Sequence, residues 1–170
     1  MPENEQTQWI RHLVERYQNR LLHYAQRIVG RPELAQDVVQ DVFLRLWQQD
    51  RQQLDGHVAA WLYRVCRNRA IDVLGKERRM LPSAHCGDQR LWHERPENNL
   101  EIDDEQQRLS KHIERLPDKQ QEVLRLKYEG GLDHKQIAEC LGSTAGYVTR
   151  LIYLATSSLR QQMQPTSEDR

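Results

Sequence analysis

The sequence predicts an all-α protein of two small helical domains joined by a flexible linker, and three observations predict it. Apolar residues recur at three- to four-residue spacing through most of the chain. Helix formers such as Gln, Arg, Leu and Glu dominate, whereas aromatics are only 6% of residues and charged residues 29%. Proline, glycine and a reversal of charge gather in one central stretch, where the periodicity stops. With 170 residues there is room for one ordinary domain or two small ones, and a large enzyme is excluded.

Ile10, Leu13, Val14, Tyr17, Leu21, Tyr24, Ala25 and Ile28 mark a first amphipathic helix, stopped by Gly30-Arg31-Pro32. Pro32 suits the first turn of the next helix, whose apolar stripe runs Leu34, Ala35, Val38, Val39, Val42, Phe43, Leu46 and Trp47. Glu33, Asp37 and Asp41 stand at i, i+4 and i+8 and form an acidic ridge on the other side, suited to a basic protein surface and repellent to DNA. Taken without the surrounding motif, such a run is better read as a merely solvated helix face, and no nearby histidine completes a carboxylate metal site. The polar stretch from Gln48 to Gly56 reads as a loop. A third helix follows with Val58, Trp61, Leu62, Val65, Ile71 and Leu74, expected to end at Gly75, and it carries the basic set Arg64, Arg67, Arg69, Lys76, Arg78 and Arg79 against Asp72 and Glu77.

From Met80 to Gln107 the sign reverses: Asp88, Glu94, Glu97, Glu101, Asp103, Asp104 and Glu105 face only Arg90 and Arg95, with Pro82, Gly87 and Pro96 breaking any period. The domains are therefore expected at 9–79 and 105–163, with an acidic linker at 80–104. The second opens with Leu109, Ile113 and Leu116, breaks at Pro117 and resumes with Val123, Leu124, Leu126 and Tyr128. After Gly130-Gly131, Asp133 and Gln136 have capping-box spacing, Ile137, Ala138 and Leu141 are apolar, and Gly142 is a stop. A last helix starts at Ser143 or Thr144 and runs to about Met163 with Val148, Ile152, Ala155 and Leu159 on one stripe. A short helix, a tight turn and a longer capped helix make a helix-turn-helix, the arrangement that places its second helix in the DNA major groove, although ordinary helical hairpins share the pattern.

Twenty-five Lys+Arg balance twenty-five Asp+Glu, so bulk charge names no partner. The polar, acidic N-terminus lacks the features of a secretory signal, and no apolar run approaches the length of a membrane span, so no membrane insertion is expected. Cys66, Cys86 and Cys140 are odd in number and form no C-x-x-C pair, as suits a cytoplasmic protein. His85-Cys86 with His93 lacks a fourth ligand at zinc-like spacing, and neither a phosphate-binding glycine loop nor a nucleophile motif is found; no metal, cofactor or catalytic residue is expected.

Glu33 to Trp47 followed by Ala60 to Asp72 resembles region 2 of the sigma-70 family, and Leu116 to Leu124 with Gly131 to Glu139 resembles region 4. No segment is long enough for region 3, so the chain resembles the small extracytoplasmic-function class of RNA polymerase sigma factors over roughly 10–162. That resemblance implies a non-enzymatic subunit that directs core RNA polymerase to promoter DNA, through the beta-prime clamp helices and the beta flap, with an anti-sigma factor as a further partner. It assigns polymerase docking to Asp37, Gln40, Asp41 and Leu44. It assigns a flipped base of the minus-ten element to the Asp50–His57 loop, with Asp50, Arg51, Gln52, Asp55 and His57, and backbone and base contacts to Arg64, Arg67, Asn68 and Asp72. Tyr63 lies off the apolar stripe and is expected at the nucleic acid, whereas Trp61 fits the core better than base stacking.

For the minus-thirty-five element the resemblance points to Thr144, Tyr147, Arg150 and Ser157, with His134 and Lys135 on backbone phosphates. Here the chain departs from the family pattern: Thr144 to Arg160 holds only two basic residues where typical members carry several, so isolated binding should be feeble. Leu151, Tyr153 and Leu154 widen the apolar face of this helix beyond what reading DNA needs. The expectation is that region 4 packs on region 2 or on an anti-sigma partner, and that Leu154→Glu releases it. A free-standing helix-turn-helix regulator is the alternative, although such proteins usually dimerise through a further domain.

Overall fold

A computed structural model describes residues 4–80 and 104–164. Among these, α1 (Glu5–Val29), α2 (Pro32–Trp47) and α3 (Val58–Met80) form the first bundle, with a 3-10 turn at Arg51–Leu54 before α3. α4 (Asp104–Glu114), α5 (Asp118–Tyr128), α6 (His134–Leu141) and α7 (Ala145–Met163) form the second group. The expected linker lies outside the described residues except at its ends, where Met80 and Asp104 already belong to helices.

Local chemistry sets the ends. The Asn4 side chain accepts from the Gln6 amide to open α1, and Gly30 closes it at φ 74°, a left-handed conformation that costs a residue with a Cβ about 1 kcal/mol or more. Pro32 stands at the start of α2, where its missing N–H costs nothing. Asp133 and Gln136 form the reciprocal capping box, Gly142 ends α6 at φ 61°, and the Thr144 side chain caps α7. The third helix does not end at Gly75 but continues to Met80. The glycine costs about 1 kcal/mol, but the residues after it suit a helix end: Arg78 and Arg79 complement the dipole, Arg79 donates to the Gly75 carbonyl, and Arg31 pairs with Glu77 at 3.0 Å.

In the first bundle, Leu21, Val38, Val42, Leu46 and Leu62 are fully enclosed between α1, α2 and α3. In the second, Leu116, Leu124 and Ala155 pack with Leu159, while the Gln121 side-chain amide donates to the carbonyls of Glu114 and Leu116 and holds the α4–α5 turn. The two groups do not stand apart. Val123, Leu126, Ile137, Ala138 and Cys140 join the apolar cluster of the first bundle, and α6 lies along α3.

The second domain thus packs on the first, one of the two arrangements expected, but through α5 and α6. Tyr153 and Leu154 take no part and remain 69% and 38% exposed, so Leu154→Glu is not the change that would separate the domains. Only Leu151 of that apolar trio is buried, because it faces inward beside Val148 and Ile152.

Candidate nucleic-acid interface

α2 presents Asp37, Gln40 and Leu44 outward, Leu44 at 55% exposure. Leu44 and Gln40 line a groove of about 620 Å³ between α1 and α2, floored by Ile10, Val14, Val39 and Phe43 and ending at Trp47. The acidic ridge is less uniform than its spacing implied: Glu33 and Asp37 are exposed, but Asp41 is half-buried and its carboxylate accepts from Arg69 Nε at 2.5 Å. Four candidate docking residues therefore share one side of α2, with one acid already partnered inside the bundle.

On α3, Arg64, Asn68 and Asp72 are exposed at i, i+4 and i+8, a single solvent-facing stripe. Below it, the Asp50 side chain accepts from the Gln52 amide at 2.9 Å and holds the 3-10 turn that presents Arg51, Gln52 and Asp55, all exposed. His57, Trp61, Arg64, Gln53 and Leu54 line a cavity of about 200 Å³ together with Glu139 of α6. Trp61 is partly buried and packs against the core, as its spacing predicts, while its remaining surface lines this cavity.

Tyr63 and Arg67 are turned the other way. Tyr63, expected at the nucleic acid, is 1% exposed and meets Tyr24 edge to face with ring centroids 5.2 Å apart. A Cβ on Gly130 would lie 2.6 Å from the Leu126 carbonyl oxygen and 3.2 Å from the Tyr63 ring carbons, so a glycine there lets the α5–α6 turn close over the ring. The physical reason is that α3 is covered on two sides, by α1 and α2 and by the second domain, which moves its buried arc onto Leu62, Tyr63, Cys66 and Ala70.

Arg67 reaches Glu122 of α5, its Nε donating at 2.7 Å and its Nη2 at 3.5 Å, while the Tyr24 hydroxyl donates to the same carboxylate at 3.0 Å. Glu122 is 4% exposed, an acid enclosed between domains and satisfied by three donors. Burial disfavours the Arg67 charge, yet the hydrogen bond and charge of Glu122 more than offset it and hold the guanidinium above its ordinary pKa. Burial, reinforced by Glu122, raises the Tyr24 hydroxyl well above its usual range and pushes the Cys140 thiol up to about 12. Glu122 escaped the sequence reading because an acid beside Val123 and Leu126 shows a misplaced charge, and nothing local names its partner.

On α7, Tyr147, Arg150 and Ser157 are exposed along one face behind the Thr144 cap, and Lys119 lies over the Tyr147 ring. Lys135 is exposed beside them. His134 is not a free phosphate contact: its Nδ1 lies 2.9 Å from the Thr149 hydroxyl and its Nε2 3.3 Å from Lys127 Nζ. Because Thr149 donates to the Ala145 carbonyl, it receives the Nδ1–H, and the ring braces α5 against α7.

Residues 13–80 match the family model for sigma-70 region 2, and residues 106–159 match that for sigma-70 region 4. The chain is 31% identical over 135 residues to the ECF RNA polymerase sigma factor RpoE of Cereibacter sphaeroides, covering 76% of this chain and 72% of the relative. It is 26% identical over 167 residues to the ECF RNA polymerase sigma factor SigW of Bacillus subtilis, covering 89% and 87%. Its fold matches that of the sigma factor RpoE in complex with the anti-sigma factor NepR from Bartonella quintana, with a TM-score of 0.62 at 18% identity over 91% of this chain and 98% of that one. It also matches CnrH in complex with the cytosolic domain of CnrY, with a TM-score of 0.56 at 22% identity over 95% and 91%.

Proposed function

Because the chain belongs to the sigma-70 family, in its extracytoplasmic-function class, we propose how its surfaces divide the work of a sigma factor. Such a protein binds core RNA polymerase and directs it to promoters; it is a non-catalytic regulator, since the polymerase makes the phosphodiester bonds. The α1–α2 groove with Asp37, Gln40, Asp41 and Leu44 takes the polymerase clamp. The Asp50–His57 loop, with Arg64, Arg67, Asn68 and Asp72, takes the minus-ten element. Thr144, Tyr147, Arg150 and Ser157, with Lys135, take the minus-thirty-five element. The work lies in the cytoplasm, where core polymerase is found; among the described residues no helix is long and apolar enough to cross a membrane.

The observation that carries this reading is the separation of two chemically different faces on one bundle: an apolar groove between α1 and α2 that Gln40 and Leu44 line, and a polar stripe of Arg64, Asn68 and Asp72 on α3 above a loop-lined cavity. The first suits a protein surface. The second suits unstacked bases and a separated phosphate backbone, which need pockets and cations but no covalent chemistry. A free-standing regulator would leave the groove without a role.

The test mixes the chain with core polymerase and a promoter library and maps start sites. Discrete start sites are expected, and Asp37→Lys with Asp41→Lys should abolish them. Initiation that survives the double change overturns the docking assignment; no initiation by the unaltered chain overturns the reading as a whole.

A further inference from the structure

Resting on that reading, we infer that α7 reads its DNA through thymine methyl groups: Thr149 and Tyr153 are specificity-determining residues that pack on the C5-methyls of minus-thirty-five bases.

α7 is poorly equipped for the polar code of the major groove. Guanine and adenine edges are read by bidentate Arg, Lys, Asn or Gln, and from Ala145 to Arg160 the helix offers only Arg150 and Arg160. It also holds no Asp or Glu from end to end, so its charge complements a phosphate backbone. Such a helix suits DNA but is short of groups for hydrogen-bonded base recognition. The signal left to it is the thymine methyl, which is read by apolar contact.

The outward face is arranged for that contact. Gly146, Thr149, Arg150 and Tyr153 stand at i, i+3, i+4 and i+7, and all four are exposed. They follow directly behind the Thr144 cap, in the part of a recognition helix that meets base edges. Their span is about 10 Å of helix axis, enough for about three base-pair steps. Thr149 is polar in name, but its hydroxyl donates to the Ala145 carbonyl at 2.9 Å and lies 2.9 Å from His134 Nδ1, whose N–H it accepts. With the hydroxyl engaged on both sides, what this exposed residue offers a base is its methyl. Tyr153, one turn further on, is 69% exposed and presents an aromatic ring.

Gly146 is the independent mark of a close approach. A Cβ added there would meet nothing within 4 Å, and the residue is not among the glycines with positive φ. Glycine weakens a helix relative to alanine, and neither packing nor backbone conformation calls for it at this position. A ligand drawn close to the backbone does, because the missing side chain opens the surface beside Thr149 to a base pair. Arg150, between Gly146 and Tyr153 on the same face, supplies the cation for a flanking phosphate. A protein partner is the competing occupant of Tyr153; the acid-free helix and the alignment with Gly146 favour DNA.

The test uses the full-length chain. Duplexes are selected from a random pool by the chain bound to core polymerase, and in parallel by the chain alone at low salt, where phosphate contacts are strongest. In the best sequences each thymine is replaced in turn by deoxyuridine, which keeps every hydrogen-bonding atom and removes only the methyl. One or two replacements should each lower affinity about fourfold, the worth of one buried methyl. Thr149→Ser keeps the hydroxyl and its bonds, and Tyr153→Ala changes an exposed side chain, so both variants fold; each should abolish the thymine preference at its own position. No sensitive thymine, or a preference that persists in both variants, overturns the inference. So does a Tyr153→Ala chain that loses affinity for core polymerase without DNA while keeping the thymine preference, which would make this face a protein contact. Start-site mapping on the unaltered chain stays separate: failed initiation removes the sigma reading while the duplexes selected by the chain alone still decide the methyl contact, and initiation without any methyl effect removes the methyl contact alone.

Discussion

Asp41 on α2 and Arg69 on α3 are joined by a 2.5 Å hydrogen-bonded ion pair, so an acid proposed for polymerase docking also fastens the helix proposed to take the minus-ten element. The pair is partly exposed, 37% and 27% by side chain, and such pairs contribute about 0.2–1 kcal/mol. Asp41→Asn is therefore expected to lower stability by less than about 1 kcal/mol. Asp37→Asn, exposed and without an ion-pair partner among the described residues, should leave stability unchanged. Both should weaken core polymerase binding, as measured by titration alongside urea unfolding. If Asp37→Asn binds as tightly as the natural chain, the acidic ridge is only a solvated face.

Tyr63→Phe should stabilise the protein. Its ring packs against Tyr24 while its buried hydroxyl is unpaired among the described residues, and removing such a hydroxyl recovers about 1 kcal/mol. Chemical unfolding should move to higher denaturant, and Cys140 should react more slowly with N-ethylmaleimide. A less stable variant would show that the hydroxyl is satisfied in solution.

Alkaline pH should destabilise the folded chain. Burial first, and the Glu122 carboxylate second, push the Cys140 thiol from an ordinary 9.0 up to about 12, and burial raises Cys66, Tyr24 and Tyr63 in the same direction. Above pH 9 the unfolded chain sheds the Cys140 proton while the folded chain keeps it. The stabilisation is thus fully present below about pH 9 and is lost as pH rises towards 12. Thermal unfolding across that window should show the decline, with a shallower slope in Cys140→Ala; identical slopes would remove Cys140 from the account.

Arg150→Ala tests the charge-poor recognition helix. Arg150 and Arg160 are the only basic residues between Thr144 and Arg160. Losing one phosphate contact should flatten the plot of log affinity against log salt by about 0.9 for polymerase holoenzyme on promoter duplex. An unchanged slope places Arg150 away from the phosphates.

Helix ends were legible in the sequence because the forces that set them act within a turn. Asp133 and Gln136 bond each other's backbone, Gly30 and Gly142 adopt the left-handed conformation, and Pro32 stands where no amide is needed. Gly75 misled because glycine is permissive rather than forbidding: its cost was overcome by the basic residues after it and by the Arg31–Glu77 pair, which no local rule contains. The candidate docking and recognition faces were legible for a similar reason. Asp37, Gln40, Leu44, Tyr147, Arg150 and Ser157 stand outward on helices whose opposite stripes are plainly apolar.

The sequence by itself determined the helices, their caps, the two-module order and the family, since these are written in spacing over a few residues and in motif succession. Only the tertiary structure decided which way α3 faces. Period alone cannot tell a helix covered on one side from a helix covered on two, and the second cover comes from a carboxylate 55 residues beyond Arg67. That contact turned Tyr63 inward and drew Arg67 away from solvent. A buried acid is tolerated only where donors from separate parts of the chain converge on it, and such convergence exists in the folded protein alone.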